Sequence, residues 1–213
     1  MIRLWRTARK QQKLPSPVAL AAVKNRVGYK KIRLNSRNRT VTLLAANMQL
    51  DLGGIAKGFA VDEAMKTLKA NCIHRAFVAA SGDMLTSGPP IGHEGWRVLI
   101  RNVDQFGNVY PRTVHLNHQA LSTSGDTEQF VLINGQRYSH IVDPRTGYGL
   151  THRIQVTVVS KASVKSDSHA TAISVLGHKA GLTFAKRKEL QTLILDLKNE
   201  NPRITQSLYW RLW

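Results

Sequence analysis

Three groups of residues in this chain have the types and spacing that chemistry on an anionic, oxygen-rich ligand requires. Asp51-Leu52-Gly53-Gly54-Ile55-Ala56-Lys57-Gly58 sets a carboxylate before a two-glycine turn, and a lysine one turn into the helical pattern that follows. Small residues at a helix start expose backbone N–H groups whose dipoles favour anions. The nucleotide-binding pattern Gly-x4-Gly-Lys-Ser/Thr cannot be matched here, and a plain loop entering an amphipathic helix would look the same. Asp167 and Thr171 lie four residues apart, so a helix projects both oxygens from one face. A carboxylate and a hydroxyl, joined by backbone carbonyls and phosphate oxygens, make a donor set that Mg²⁺ prefers; the acid alone would also suit the positive end of a helix dipole. Ser139-His140-Ile141-Val142-Asp143-Pro144 places a histidine at a strand end, where it can accept a proton near neutral pH. The turn forced by Asp143-Pro144 and completed by Thr146-Gly147 fixes its position, although a lone strand histidine also serves structure. Ala80-Ser81-Gly82-Asp83 and Leu121-Ser122-Thr123-Ser124-Gly125-Asp126 read as small-residue turns whose hydroxyls and N–H groups suit phosphate or carbonyl oxygens. Such clusters are common in turns without any ligand. No His/Cys cluster has zinc spacing.

The elements that must position these groups follow from periodicity. Ile55, Phe59, Ala60, Ala64, Met65 and Leu68 recur at helical spacing, which predicts a helix from near Gly54 to about Ala70. Residues 163–176 predict a second helix, closed by Gly177, with a third over 178–187. Ser16 as N-cap and Pro17 at the first helical position open a short helix. Strands are predicted over residues 31–35, 40–45, 77–80, 96–101, 114–116, 129–133, 137–142, 155–160 and 190–197, with a closing apolar segment over 207–213. Ser36-Arg37-Asn38 and Asn134-Gly135 mark hairpin turns. Strands and helices are segregated more than they alternate, which argues for an α+β fold with mixed or antiparallel sheets and packed helices. No repeat or linker divides the chain, so residues 1–213 read as one domain.

Composition excludes several classes. The net charge is +18, and no acidic residue precedes Asp51, whereas Arg3, Arg6, Arg9, Lys10, Lys13, Lys24, Arg26, Lys30, Lys31, Arg33, Arg37 and Arg39 all do. Such an arm could meet nucleic acid or an anionic surface. Aromatic residues are not interleaved with the basic ones and no nucleic-acid-binding motif is present, so a solvated basic face is the preferred reading. A single cysteine, Cys72, excludes an internal disulfide framework. No apolar run is long enough to span a membrane, and no signal-peptide core follows Met1.

The order and content of the motifs carry a resemblance. Asp-Leu-Gly-Gly-Ile-Ala-Lys-Gly-Phe-Ala (51–60), Ser-Gly-Asp (81–83), Ser-Thr-Ser-Gly-Asp (122–126), Ser-His-Ile-Val-Asp-Pro-Arg-Thr-Gly (139–147) and Ser-Asp-Ser-His-Ala-Thr-Ala (166–172) closely resemble the ApbE-like FAD:protein FMN transferases. The resemblance implies that the protein binds FAD and Mg²⁺ and transfers FMN to a Thr or Ser hydroxyl of an acceptor flavoprotein, releasing AMP. Acceptors in the family include subunits of membrane redox pumps. By the same resemblance Asp51 and Lys57 contact FAD, and Gly54 offers a backbone oxygen to the metal, whose protein ligands Asp167 and Thr171 complete. His140 and Ile141 lie against the flavin nucleotide, and His140 is the favoured base for the acceptor hydroxyl.

Some features depart from the family pattern. Members usually carry further chain ahead of the equivalent of Trp5, holding a lipoprotein or secretion signal and part of the FAD cavity. This sequence is therefore expected to lack that portion, and its compartment stays open: family members are usually periplasmic or membrane-anchored, and the start as given would be cytoplasmic. Ser81 stands where glycine is usual, and Thr127 where an aromatic is common. Two other readings remain: the same site working as a Mg²⁺-dependent FAD pyrophosphatase yielding FMN and AMP, or as a shortened flavin-binding paralogue, and a non-enzymatic basic binding module.

Overall fold

The computed structural model describes residues 1–103, 108–125, 129–197 and 202–207. Asp126, Thr127 and the closing segment beyond Ser207 lie outside them. In chain order the first elements are helices α1 (Ile2–Gln11) and α2 (Pro17–Lys24), strands β1 (Ile32–Asn35) and β2 (Thr40–Leu43), and helix α3 (Ala56–Ala70). Strands β3 (Phe77–Ala80), β4 (Asp83–Thr86), β5 (Trp96–Val103), β6 (Val109–Leu116) and β7 (Ala120–Gly125) follow. The chain continues through β8 (Phe130–Ile133), β9 (Gln136–Ser139), β10 (Ile154–Ser160), α4 (Ser163–Arg187), β11 (Gln191–Asp196) and β12 (Arg203–Gln206). Every strand pairing among the described residues is antiparallel, so the α+β expectation holds. Two compact units form: residues 1–51 with 129–151, and residues 52–128 with 152–213.

The larger unit is built on a six-stranded sheet in the order β12-β11-β10-β7-β4-β3. The alternation of strand side chains decides what covers each face. Leu121, Val159 and Leu193 point to one side, where they pack with Val98, Ile100, Val114 and Leu116 of the β5–β6 ribbon. Ile154, Val156, Val158 and Ile194 point to the other and bury against Ala170, Ile173 and Ala185 of α4. With both faces covered, β10 is buried almost throughout, its polar Gln155 and Thr157 included. Val61 and Met65 of α3 close over Leu85 and Ala120. Helix α4 is interrupted where the sequence says it should be: Gly177 takes φ 76°, which splits it into two helical runs.

The stretch read as a serine-rich turn is instead the central strand β7. Its hydroxyls are not loose, because Ser122 Oγ meets Ser166 Oγ at 2.8 Å and Thr123 Oγ1 meets its cross-strand partner Thr157 Oγ1 at 2.9 Å. Pairing on both edges with β4 and β10 overrides the turn preference of Ser and Gly.

In the smaller unit, α1 turns the start of the basic arm into an amphipathic helix. Trp5 and Ala8, three residues apart, are buried with Val131, Ile133 and Val142, while the arginines and lysines of that helix sit on its other sides. The Trp5 indole N–H donates to the Ser139 carbonyl at 3.1 Å, and its ring meets Tyr138 edge-on. Ser16 caps α2 as its position before Pro17 predicts, accepting from the Ala19 N–H at 3.2 Å. The β8–β9 hairpin turns on Asn134 and Gly135, both at positive φ. No helix among the described residues is long and apolar enough to cross a membrane.

Candidate functional site

The chemistry-bearing residues of the larger unit gather where the N-termini of α3 and α4 meet. Neither helix has a side-chain cap from its own N-cap residue, Ile55 or Ala162. Each borrows a carboxylate from the other. Asp62 of α3 accepts from the N–H groups of Ser163 and Val164 at 2.7 and 2.9 Å, satisfying the first amides of α4. Asp167 of α4 accepts from the Gly58 N–H in the first turn of α3 at 3.0 Å. The crossing is close enough that a Cβ on Gly58 would lie 2.5 Å from the Ser163 carbonyl oxygen and 2.7 Å from Val164 Cα. Only glycine fits there.

Asp167 is 6% exposed. Burial raises its carboxyl above the ordinary carboxylate range; the Gly58 amide opposes this, Asp83 nearby adds to it, and Lys57 opposes it. One carboxylate oxygen takes the Gly58 N–H, and the other has no hydrogen-bond donor among the described residues. Thr171 shows the same availability. Ser168, Ser174 and Thr183 in the same helix each bond back to the carbonyl four residues earlier, as hydroxyls in helices commonly do. The Thr171 hydroxyl makes no such bond, and its side chain faces Gly54, whose notional Cβ would sit 3.5 Å from Thr171 Cγ2 and 3.7 Å from Oγ1. Lys57, one residue before Gly58, forms an ion pair with Asp83 at the start of β4.

The structure therefore brings Gly54, Lys57, Asp167 and Thr171 to one place in the larger unit. The residues fit a hard divalent cation. The second carboxylate oxygen of Asp167 and the Thr171 hydroxyl lie close to a glycine backbone, and Mg²⁺ typically uses one or two carboxylates and leaves its other positions to water and phosphate. No group of three or more His, Cys, Asp or Glu with metal-binding geometry exists among the described residues.

Asp51, His140 and Ile141 belong to the smaller unit. Asp51 pairs with Arg6 at 2.8 Å. The His140 backbone N–H donates to the Gln129 carbonyl at 3.0 Å, and its Nδ1 lies 3.1 Å from the same oxygen. Ile141 is buried, its N–H donating to Ser139 Oγ and its carbonyl accepting from Leu150 N. The turn after it is tied by Gly147 N–H to the Asp143 carbonyl at 2.8 Å and by Arg145 on both oxygens of Asp143. The turn predicted after His140 is present, while the bonds of His140 itself run to Gln129.

Asp62, Gly58 and the pairing of Lys57 with Asp83 have no signature in the local sequence. Asp62 looks like any helix-surface acid, and Gly58 like a weak point in α3. The partners of Asp62 and Gly58 lie 101 and 109 residues further along the chain, and Asp83 lies on a different element from Lys57, all beyond the reach of helical or strand periodicity.

The ApbE family model matches residues 1–194. Among curated proteins, the FAD:protein FMN transferase of Haemophilus influenzae is 29% identical over 97% of this chain and 61% of its own length. That of Chlamydia muridarum is 31% identical over 91% of this chain and 60% of its own. The crystal structure of Pseudomonas stutzeri flavinyl transferase ApbE in its apo form superposes with a TM-score of 0.85 at 27% identity, covering 98% of this chain and 65% of that one. The chain thus spans about three fifths of the length of the curated relatives it matches.

Proposed function

The chain belongs to the ApbE family, and from that premise we propose that it takes part in Mg²⁺-dependent transfer of FMN from FAD to a Thr or Ser hydroxyl of an acceptor flavoprotein, with release of AMP. The observation that carries the reading is the set of unspent donors in the larger unit: the second Asp167 oxygen and the Thr171 hydroxyl beside Gly54, with Lys57 in the adjoining first turn of α3.

Cleaving a pyrophosphate asks the protein mainly for positioning and for positive potential where charge develops. A bound Mg²⁺ would neutralise phosphate oxygens and ease the departure of AMP. Asp167, Thr171 and the Gly54 carbonyl are the groups that would hold it. Lys57 supplies a fixed cation, reinforced by the positive end of α3. The resemblance gives Asp51 and Ile141 contacts to FAD and His140 the role of base. General-base help of this kind typically contributes about 10²–10⁴-fold. The roles of Asp51, His140 and Ile141 rest on the resemblance alone.

The test is incubation with FAD, Mg²⁺ and an acceptor bearing a flavinylation motif, read by mass for covalent FMN, beside Asp167→Asn and a chelator control. Asn keeps an oxygen for the Gly58 N–H, so the variant stays folded while losing the metal-binding charge. Covalent FMN with the parent and none with Asp167→Asn is the expected result. Transfer by the variant at the parental rate would overturn the metal assignment, and FMN and AMP without covalent FMN would point to a pyrophosphatase.

A further inference from the structure

Asp83 is a buried carboxylate to which the reading above gives no role. It opens β4 and is 1% exposed, on the strand face that two residues later carries Leu85 into the apolar cluster with Val61 and Met65. An apolar side chain at this point would extend that cluster, whereas an unpaired buried carboxylate opposes folding. Among the described residues Lys57 is the cation it meets. The pair is lopsided: the Lys57 side chain is 47% exposed and that of Asp83 only 2%. A long, half-solvated ammonium has many rotamers of its own. An aspartate fixed in a sheet strand has few. The immobile member of the pair therefore sets where the mobile one rests.

We propose that Asp83 is a positioning residue for the site. It holds the Lys57 ammonium by charge pairing beside the first turn of α3, and so keeps that cation where a phosphate oxygen of the ligand can meet it. The nature of the ligand rests on the FAD reading above; the holding of Lys57 by Asp83 does not.

Three variants test this: Asp83→Asn, Lys57→Met and the two combined, each checked by circular dichroism and melting. The first measurement is FAD affinity with Mg²⁺, from flavin fluorescence. Asp83→Asn and Lys57→Met are each expected to weaken binding by about 10-fold, and the double variant to be no weaker than Lys57→Met, because residues acting through one contact are not additive. The second measurement needs no ligand: the acetylation rate of Lys57 relative to the other lysines, read by peptide mass. Release from Asp83 should speed it several-fold in Asp83→Asn. FAD affinity within twofold of the parent in Asp83→Asn, or full additivity in the double variant, would overturn the proposal. Should the parent fail to bind FAD, the FAD reading falls and the acetylation rate alone decides: unchanged Lys57 reactivity refutes the positioning role. Should Lys57→Met, which leaves the buried Asp83 carboxylate unpaired, fail to fold, the double variant is compared with Asp83→Asn, and markedly weaker FAD binding by the double variant refutes the proposal.

Discussion

Replacing Gly58 with alanine sets two effects of opposite sign against each other. On helix propensity alone the change in α3 should stabilise, since alanine is favoured over glycine by about 1 kcal/mol in a helix interior. The tertiary structure predicts the reverse. The new Cβ would sit 2.5 Å from the Ser163 carbonyl oxygen and 2.7 Å from Val164 Cα, both backbone atoms at the start of α4 that cannot rotate away. Overpacking of this kind typically costs about 1–3 kcal/mol. Moving the helices apart to relieve it would stretch three amide-to-carboxylate bonds at once, those from Gly58 to Asp167 and from Ser163 and Val164 to Asp62. A lost helix cap is worth about 1 kcal/mol. After subtracting the propensity gain, the net expectation is a loss of about 1–3 kcal/mol. For a chain of this size that is a fall in Tm of about 2–12 °C. Urea unfolding followed by circular dichroism should show a lower midpoint with an unchanged slope. A Gly58→Ala protein as stable as the parent, or more so, would mean that the two helices do not cross at this distance, and the reciprocal capping would fall with it.

Other predictions follow from single observations. Ser81 takes φ 56° in the tight turn between β3 and β4, a conformation that costs a side-chain-bearing residue about 1–2 kcal/mol. Ser81→Gly should therefore raise the unfolding free energy, and a lower urea midpoint would refute the strain. The raised Asp167 carboxyl binds its proton more tightly folded than unfolded, so its contribution to stability of the metal-free protein grows as pH falls through its folded value and is lost as pH rises through it. Asp167→Asn should flatten that slope and be at least as stable near neutral pH; a parental slope in the variant would show that another group titrates. Trp5→Phe keeps an aromatic ring but leaves the buried Ser139 carbonyl without its donor, a loss of about 1–3 kcal/mol. Faster amide exchange across residues 136–150 is the expected readout, and unchanged exchange would refute it.

Much of the site and the scaffold was legible in the sequence because the signals are local. Apolar spacing places α3 and both runs of α4. Gly177 breaks the second where only a positive φ fits, Ser16-Pro17 opens α2, and Asn134-Gly135 turns a hairpin, each through backbone preferences that act within four residues. The motifs identify the family by order alone, and Asp167 and Thr171 share a face because a helix has 3.6 residues per turn. The helix around Trp5 was not legible, since its few apolar residues are hidden among arginines until residues 131–142 give them something to bury against. Tertiary structure alone made a central strand of Leu121, Ser122, Thr123 and Ser124, because a segment paired on both edges follows its neighbours rather than its own turn preference. It alone decided that Asp62 caps α4 while Asp167 caps α3, that Gly58 is the crossing point, and that Lys57 rests on Asp83. A carboxylate's charge and reach are written in the chain, but the amide it satisfies is chosen by which helix packs beside it.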